Sequence, residues 1–193
     1  MRTFLCIPVD PSIRDHIASV AAELRVHVDT RASWVIPENY HVTVRFLGEI
    51  DPLLTVDLKE TCQTVTSQIA SFEIPLDRVG GFPSLDNPRV LWAGGKAPVP
   101  FRNLLSLLDS GLLQLGFPHS RAESLAHITL ARVKGRLRAP LTEAIKQITQ
   151  PSWTLHADWL VLMESRLTPQ GAVYSPLFTF PFAKEKDGVR VRR

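Results

Sequence analysis

The sequence carries one short pattern twice: a histidine and a threonine two positions apart, with an aliphatic residue after the threonine. Residues 41–44 read HVTV and residues 127–130 read HITL, 86 positions apart. Imidazole is the side chain whose ordinary pKa lets it exchange protons near neutral pH. A hydroxyl can donate a hydrogen bond to a phosphate oxygen. Two such pairs acting together predict acid and base catalysis of a displacement at phosphorus.

Both patterns lie in stretches that read as β-strands, where alternate residues share a face. The histidine and threonine of each pattern therefore lie on one face, and the two aliphatic residues lie on the other. We expect two strands to line a cleft, where one histidine takes a proton from the attacking group and the other protonates the leaving oxygen. The motif residues are His41, Val42, Thr43, Val44, His127, Ile128, Thr129 and Leu130.

Each pattern also has a purely structural explanation. A single histidine in a strand is more often a hydrogen-bonded structural residue, and threonine is favoured in strands in any case. The other four histidines, His16, His27, His119 and His156, have no threonine two positions further on. The pairing thus distinguishes two of six histidines, and the two patterns together favour catalysis.

The elements around the motifs predict an α+β fold. Helical spacing of apolar residues begins at Pro11 and recurs at about 52–70, 100–116 and 141–148. Strands are expected at 3–9, 41–48, twice within 72–95, and at 126–134, 154–163 and 172–182. Turn residues at 80–88 and 165–171 favour hairpins. We expect a bilobal, pseudo-twofold molecule with antiparallel sheets, flanking helices and a central cleft.

Composition limits the remaining possibilities. The chain has 193 residues, 45% of them hydrophobic, which suits one two-lobed domain over 1–183. The net charge of +3 equals the basic excess of 184–193, which we expect to be a disordered tail. Cys6 and Cys62 lack metal-site spacing and are interpreted as core thiols of a cytoplasmic protein. No apolar run suits a membrane span.

The sequence lacks the motifs of several other catalytic classes. GGKA at 94–97 has neither the spacing nor the hydroxyl residue of a phosphate-binding loop. Patterns HExxH, GxSxG and GxGxxG are absent from the chain. We therefore expect an enzyme that needs no metal and no cofactor.

Four blocks of the chain surround or follow the motifs: WVIPENYHVTVRFLGEI, GGFPSLDNPRVLWAGG, AHITLARVK and MESRLTPQGAVYSPLFTFPF. In these blocks the sequence resembles the two-histidine (2H) phosphoesterases, in particular the bacterial and archaeal RNA 2′,3′-cyclic phosphodiesterases, also described as RNA 2′,5′-ligases. The resemblance covers about 1–183 and implies a bilobal fold with a central cleft. It further implies that His41 protonates the leaving group, that His127 accepts a proton, and that Thr43 and Thr129 hold the phosphate.

Alternation and the resemblance also predict positions for three further residues, Arg132, Arg45 and Tyr174. The resemblance implies that Arg132 contacts the phosphate, yet simple alternation puts it on the face opposite His127. Either a bulge reorients it or it is a surface cation. Alternation with Thr43 places Arg45 in the cleft as a phosphate or RNA contact. Tyr174 is expected to be structural, with a hydrogen-bonded hydroxyl.

Three aromatic residues flank the first motif: Trp34, Tyr40 and Phe46. Each is able to stack on a base of single-stranded RNA. Aromatic residues beside strands usually pack in a core, and we expect that position for all three.

The sequence thus predicts a monomeric phosphodiesterase that opens the 2′,3′-cyclic phosphate at an RNA 3′ end to a 2′-phosphate. Reversible 2′,5′-ligation breaks the same bond, from phosphorus to O3′, so the sequence does not decide between hydrolysis and ligation. Alternatives are a hydrolase of small cyclic phosphates or of 2′,5′-oligonucleotides, and an RNA-binding module without catalysis.

Overall fold

The computed structural model describes residues 1–120, 125–148, 150–169 and 171–184. Within these ranges the chain forms ten strands, four α-helices, and 3₁₀ turns at Pro37–Asn39 and Pro52–Leu54. The helices are α1 Pro11–His27, α2 Thr55–Thr66, α3 Val99–Gln114 and α4 Thr142–Gln147. The strands are β1 Arg2–Pro8, β2 Ala32–Trp34, β3 His41–Glu49, β4 Phe72–Leu76, β5 Arg78–Phe82, β6 Val90–Lys96, β7 Leu125–Val133, β8 Trp153–Ala157, β9 Trp159–Thr168 and β10 Gly171–Pro181.

The expected elements are present, with two differences in detail. The stretch from 72 to 96 contains three strands where two were expected, because β4 leaves the main sheet and pairs with β8. The lead-in to the first motif contains the short strand β2. Of the expected basic tail, 185–193 lie outside the described residues. Cys6 and Cys62 are buried free thiols, as expected, and burial raises the pKa of each to about 12.

Helix α1 shows how the local sequence determines an element. Asp10 accepts a hydrogen bond from the Ser12 amide at 2.7 Å and caps the helix, with Pro11 at the first helical position. The helix then buries one apolar stripe that includes Ile17 and Leu24. This stripe packs in the same core as the aliphatic residues of both motifs. The helices therefore cover one face of the sheet and leave the histidine face uncovered.

The main sheet has the strand order β10-β9-β1-β3-β7-β6-β5, and β2 also pairs with β7. Every pairing between these described strands is antiparallel. The α+β class with antiparallel sheets is confirmed. The two motif strands, β3 and β7, were expected to face each other across a cleft. They are instead neighbours in one sheet, paired at Val42 and Ile128.

A pseudo-twofold axis runs between β3 and β7. The order β1-α1-β3-α2-β4-β5 recurs as β6-α3-β7-α4-β8-β9. The last strand of each copy crosses to the other half: β9 lies beside β1, and β5 lies beside β6. The strands that precede them, β4 and β8, pair with each other. The two halves are therefore built from both copies of the repeat.

Candidate active site

The register between β3 and β7 determines how the two motifs meet. Val42 pairs with Ile128. Continued by one residue on either side, this antiparallel register puts His41 opposite Thr129 and Thr43 opposite His127. The two histidines are then diagonal neighbours on one face, a relationship that spans about 7–8 Å. Each imidazole lies beside the hydroxyl of the other motif.

The 3₁₀ turn just before β3 orients the ring of His41. Its Nδ1 lies 2.7 Å from the carbonyl oxygen of Asn39. A carbonyl only accepts hydrogen bonds, so Nδ1 carries the hydrogen and Nε2 is the atom that titrates. Asn39 is itself fixed, because its amide donates to the Ala172 carbonyl in β10 at 2.8 Å. Phe4 and Tyr174 enclose the ring, with centroids 4.9 Å and 5.4 Å away.

The second histidine has a matching environment. The backbone carbonyl of Leu125, again two residues upstream, hydrogen-bonds the ring of His127. Phe82 packs edge-on against this ring at 5.0 Å. Gly94 lies directly opposite His127 in β6. A Cβ at Gly94 would come within 2.3 Å of the Ala126 carbonyl oxygen and 2.9 Å of the His127 Cα, so the close approach of the two strands requires glycine.

Both histidines have a pKa below the ordinary value of 6.5. Burial is the largest cause in each case, because it disfavours the charged imidazolium. The positive charge of Arg132 lowers both pKa values further, and that of His127 adds to the effect on His41, while the backbone carbonyls oppose the shift. At neutral pH the free protein thus favours neutral rings. A negative charge close to either ring would instead favour its protonated form.

Arg132 lies on the same face of the sheet as the motif threonines. Leu91 pairs with Ala131 while the next residue, Trp92, pairs with Thr129, so Leu130 is the extra residue of a β-bulge. The bulge shifts the alternation by one residue. It brings Arg132 to the face of Thr129, and both line the same cavity. Of the two positions left open for Arg132, a surface position and one reached through a bulge, the structure shows the second.

Arg45 is the reverse case, and its expected place in the cleft is wrong. Leu5 pairs with Arg45 while Cys6 pairs with Thr43, which makes Val44 the extra residue of a second bulge. Arg45 therefore leaves the face of Thr43. Phe46 takes the place on the cleft face instead.

The guanidinium of Arg45 is held behind the sheet by helix α3 and the segment that follows it. It lies 3.5 Å from the Asp109 carboxylate and also donates to the carbonyl of Pro118. Asp109 accepts further hydrogen bonds from His119 Nδ1 at 2.7 Å and the Ser120 amide at 2.8 Å. These contacts link the first motif strand to the second copy of the repeat.

The three aromatic residues that flank the first motif differ in their burial. Tyr40 is buried in the core as expected, and Trp34 is half-buried against it. Phe46 is 63% exposed, so its expected core position is wrong. Tyr174 lines the cavity, and its hydroxyl forms no hydrogen bond within the described ranges, contrary to the bonded hydroxyl that we expected.

One cavity of about 440 Å³ gathers these side chains, a size typical of small-ligand sites. His41, Thr43, Thr129 and Arg132 line it, and His127 lies beside it on the same face. Several of its lining residues are not predictable from local sequence, above all Arg2 at the start of β1. No local pattern marks Arg2, because only the pairing of β1 with β3 and β9 brings it there. The walls are Arg2, Thr3, Phe4, Val35, Asn39, His41, Thr43, Phe46, Gly48, Thr129, Arg132, Ser165, Leu167, Ala172 and Tyr174.

Comparison with known proteins assigns the chain to a family. The LigT-like phosphoesterase family matches residues 7–92. An RNA 2′,3′-cyclic phosphodiesterase of Archaeoglobus fulgidus is 33% identical over 93% of this chain and 99% of its own length. The chain belongs to the LigT-like phosphoesterases. The RNA 2′,3′-cyclic phosphodiesterase of Methanothermobacter thermautotrophicus is 30% identical to this LigT-like phosphoesterase over 93% of this chain and 98% of its own length.

Solved structures share the fold of this chain. A crystal structure of a Thermus thermophilus protein superposes with a TM-score of 0.81 at 25% identity, covering 96% of this chain and all of that one. The apo crystal structure of E. coli LigT gives 0.75 at 22% identity and covers 95% and 98% of the two chains. The fold class is thereby confirmed, while the family match and the curated relatives confirm the resemblance to the two-histidine phosphoesterases.

In the part of the chain that the structure describes, no helix is long and apolar enough to cross a membrane. Over the same residues, no three side chains of the metal-binding types lie close enough together to hold an ion.

Proposed function

We propose that this LigT-like phosphoesterase is a metal-independent RNA 2′,3′-cyclic phosphodiesterase that leaves a 2′-phosphate. The observation that carries the proposal is the diagonal placement of His41 and His127 on one face, each beside the hydroxyl of the other motif. The names of the relatives support the same activity. The cavity at this face is of the size that a nucleotide needs.

The chemistry assigns one step to each histidine. Neutral His127 takes a proton from water while the water oxygen attacks phosphorus. The bond from phosphorus to O3′ breaks, and protonated His41 gives the proton on Nε2 to O3′. Thr43 and Thr129 donate hydrogen bonds to non-bridging oxygens, and Arg132 neutralises their charge. The product carries a 2′-phosphate and a free 3′-hydroxyl.

The hydrogen bond from His41 Nδ1 to Asn39 suits the role of His41 as the acid. It fixes the ring so that Nε2 remains available, and it favours the protonated form. In the free protein this effect is smaller than that of burial, so the negative charge of the substrate has to supply the rest. Catalysis is thus coupled to the binding of an anion.

The same site could catalyse 2′,5′-ligation, because a 5′-hydroxyl of RNA can replace water as the attacking group. The bond that breaks is the same in both reactions. Two other possibilities are a hydrolase of small cyclic phosphates or of 2′,5′-oligonucleotides, and a module that binds RNA without turnover.

The deciding experiment is turnover of a nucleoside 2′,3′-cyclic phosphate in EDTA, with the product identified by ³¹P NMR. We expect a 2′-phosphate product. We also expect His41→Ala and His127→Ala each to lower the rate by a factor of about 10²–10⁴. His156→Ala is the matched control, because this exposed histidine lies in β8, away from the cavity, and 67% of its side chain is accessible. A 3′-phosphate product, full activity in both variants, or a need for a divalent ion would refute the mechanism.

A further inference from the structure

The two motif strands continue into segments of different charge. Residues 130–138, from the bulge of β7 onward, read LARVKGRLR and contain four cations and no carboxylate. The equivalent residues of the first copy, 44–52, read VRFLGEIDP and contain two carboxylates, while their one cation, Arg45, is held behind the sheet. A series of cations therefore continues the site beyond β7, and no such series continues it beyond β3.

Alternation places these cations on one side of the chain. The bulge brings Arg132 to the cleft face, and Lys134 lies two residues further on, about 6–7 Å away along the strand direction. The same pattern of burial continues past the end of β7: Val133 and Leu137 are buried, while Lys134 and Arg136 are exposed. Three cations thus follow one another at every second residue, and the first of them lines the cavity.

The neighbouring strand β2 adds a fourth cation. Ser33 of β2 pairs with Arg132, and one step further the Lys134 amide donates to the Arg31 carbonyl at 2.8 Å. Arg31 precedes Ser33 by two residues, so it shares the face of Ser33 and of the cleft, where it is exposed. We call Arg31, Arg132, Lys134 and Arg136 the basic strip.

The residues that the structure describes do not neutralise the basic strip. None of its four side chains forms an ion pair or a hydrogen bond with them. Arg138 is the contrast, because its amide and its guanidinium both contact the Asp29 carboxylate. Arg31 and Lys134 lie opposite each other on adjacent segments, a placement that is destabilising for like charges. A bound polyanion would remove this repulsion.

We propose that the basic strip binds the body of the RNA, the nucleotides that precede the terminal cyclic phosphate. These nucleotides all lie on the 5′ side of the reacting phosphate, so an RNA end bound at the histidines leaves the cavity in one direction. The charges direct it over β7 and β2, away from the carboxylates that follow β3. This inference rests on the proposed function and makes it more specific: an oligonucleotide is preferred to a nucleoside cyclic phosphate.

The physical basis is the release of counterions from the phosphates. Lysine and arginine contacts to phosphates carry no sequence preference. For a single strand, each contact makes the logarithm of the affinity fall with the logarithm of the salt concentration with a slope of about −0.7. Four contacts give a slope of about −3, which corresponds to about 50-fold weaker binding when salt rises from about 50 to about 200 mM.

The test measures the binding of a fluorescent RNA dodecamer that ends in a 2′-phosphate, the product of the proposed reaction, over a range of salt concentrations. The strip variant Arg31→Gln/Lys134→Gln/Arg136→Gln removes three contacts, so its slope should be shallower by about 2. The single variant Lys134→Gln should make the slope shallower by about 0.7, and it serves if the strip variant does not fold.

A control variant separates the basic strip from net charge. Lys59→Gln/Lys96→Gln/Lys146→Gln lowers the net charge by the same amount at exposed lysines outside the strip. Because these lysines do not continue the cavity beyond β7, the control should keep the slope of the unaltered protein.

Turnover provides a second measurement. At about 50 mM salt the strip variant should lose at least about tenfold in kcat/KM on a dodecamer that ends in a 2′,3′-cyclic phosphate. Its kcat/KM on adenosine 2′,3′-cyclic phosphate should be unchanged, because the mononucleotide does not extend beyond Arg132.

The outcomes separate this inference from the proposed function. Equal salt slopes in the strip variant and the control, or an equal loss of kcat/KM on both substrates, would overturn the basic strip and leave the phosphodiesterase intact. Turnover of neither substrate by the unaltered protein would refute the phosphodiesterase itself, and the salt slopes of dodecamer binding would still decide whether the strip binds RNA.

Discussion

Val44 of β3 and Leu130 of β7 are the extra residues of two matching β-bulges, 86 positions apart. Each bulge follows its motif threonine directly and shifts the alternation of the strand beyond it. The bulge on β7 brings Arg132 to the cavity. The bulge on β3 turns Arg45 toward Asp109 and exposes Phe46 at the site. The same bulge on both strands thus brings different side chains, Phe46 and Arg132, to equivalent positions three residues after the motif threonines.

The first prediction concerns pH. Productive enzyme needs one protonated and one neutral histidine, so kcat/KM should follow a bell-shaped profile. Both pKa values lie below 6.5 in the free protein, so both limbs shift downward and the maximum should fall below pH 6.5. A variant of Arg132 tests the cause of the low pKa values. Arg132→Gln removes a positive charge that lowers the pKa of both histidines. This variant should raise both pKa values in an NMR titration of the histidines, and a downward or absent shift would contradict the assigned proximity of Arg132.

The second prediction separates the acid from the base. If His41 protonates the leaving oxygen, His41→Ala should recover activity on a substrate whose leaving group needs no proton, such as a nitrophenolate. His127→Ala should not recover on that substrate, because the attacking water still needs a base. The double variant should lose little more than either single variant, since both residues act on one transition state. Recovery of His127→Ala alone would show that the two roles are reversed.

The third prediction concerns the close approach of β6 to His127. Gly94→Ala should lower the free energy of unfolding by about 1–3 kcal/mol, because its Cβ would meet backbone atoms that cannot move alone. It should also lower kcat by displacing His127. Gly111→Ala in α3 is the control. Its Cβ would come within 2.7 Å of the Thr61 methyl, the end of a side chain that can rotate, and alanine favours a helix, so denaturation should show a smaller loss of stability than for Gly94→Ala.

The fourth prediction follows from the exchange of strands between the two copies of the repeat. We propose that 1–183 are a single two-lobed domain, because β5 completes the half of the sheet that contains β6, and β9 completes the half that contains β1. Fragments 1–87 and 88–193, produced separately, should therefore lack cooperative thermal unfolding. Circular dichroism and amide exchange provide the measurement. Independent folding of either fragment would contradict the single domain.

Local sequence was sufficient for the parts of the site that depend on local geometry. Strand alternation correctly placed each motif histidine with its threonine, because residues two apart share a face whatever the strand pairs with. The buried aliphatic partners, such as Val42 and Ile128, followed from the same rule. The four blocks of resemblance, which extend over most of the chain, indicated the family and the α+β class.

Only the tertiary structure decided what lies beyond each threonine. A bulge is defined by two residues facing one on the partner strand, so it depends on β1 and β6, which are distant in sequence. For that reason Arg45 and Phe46 were placed on the wrong faces, while the position of Arg132 stayed open. Arg2 entered the site through strand pairing alone. Alternation within a strand is a property of the local backbone, whereas register between strands is a property of long-range packing, and the second determines which charges and rings reach the substrate.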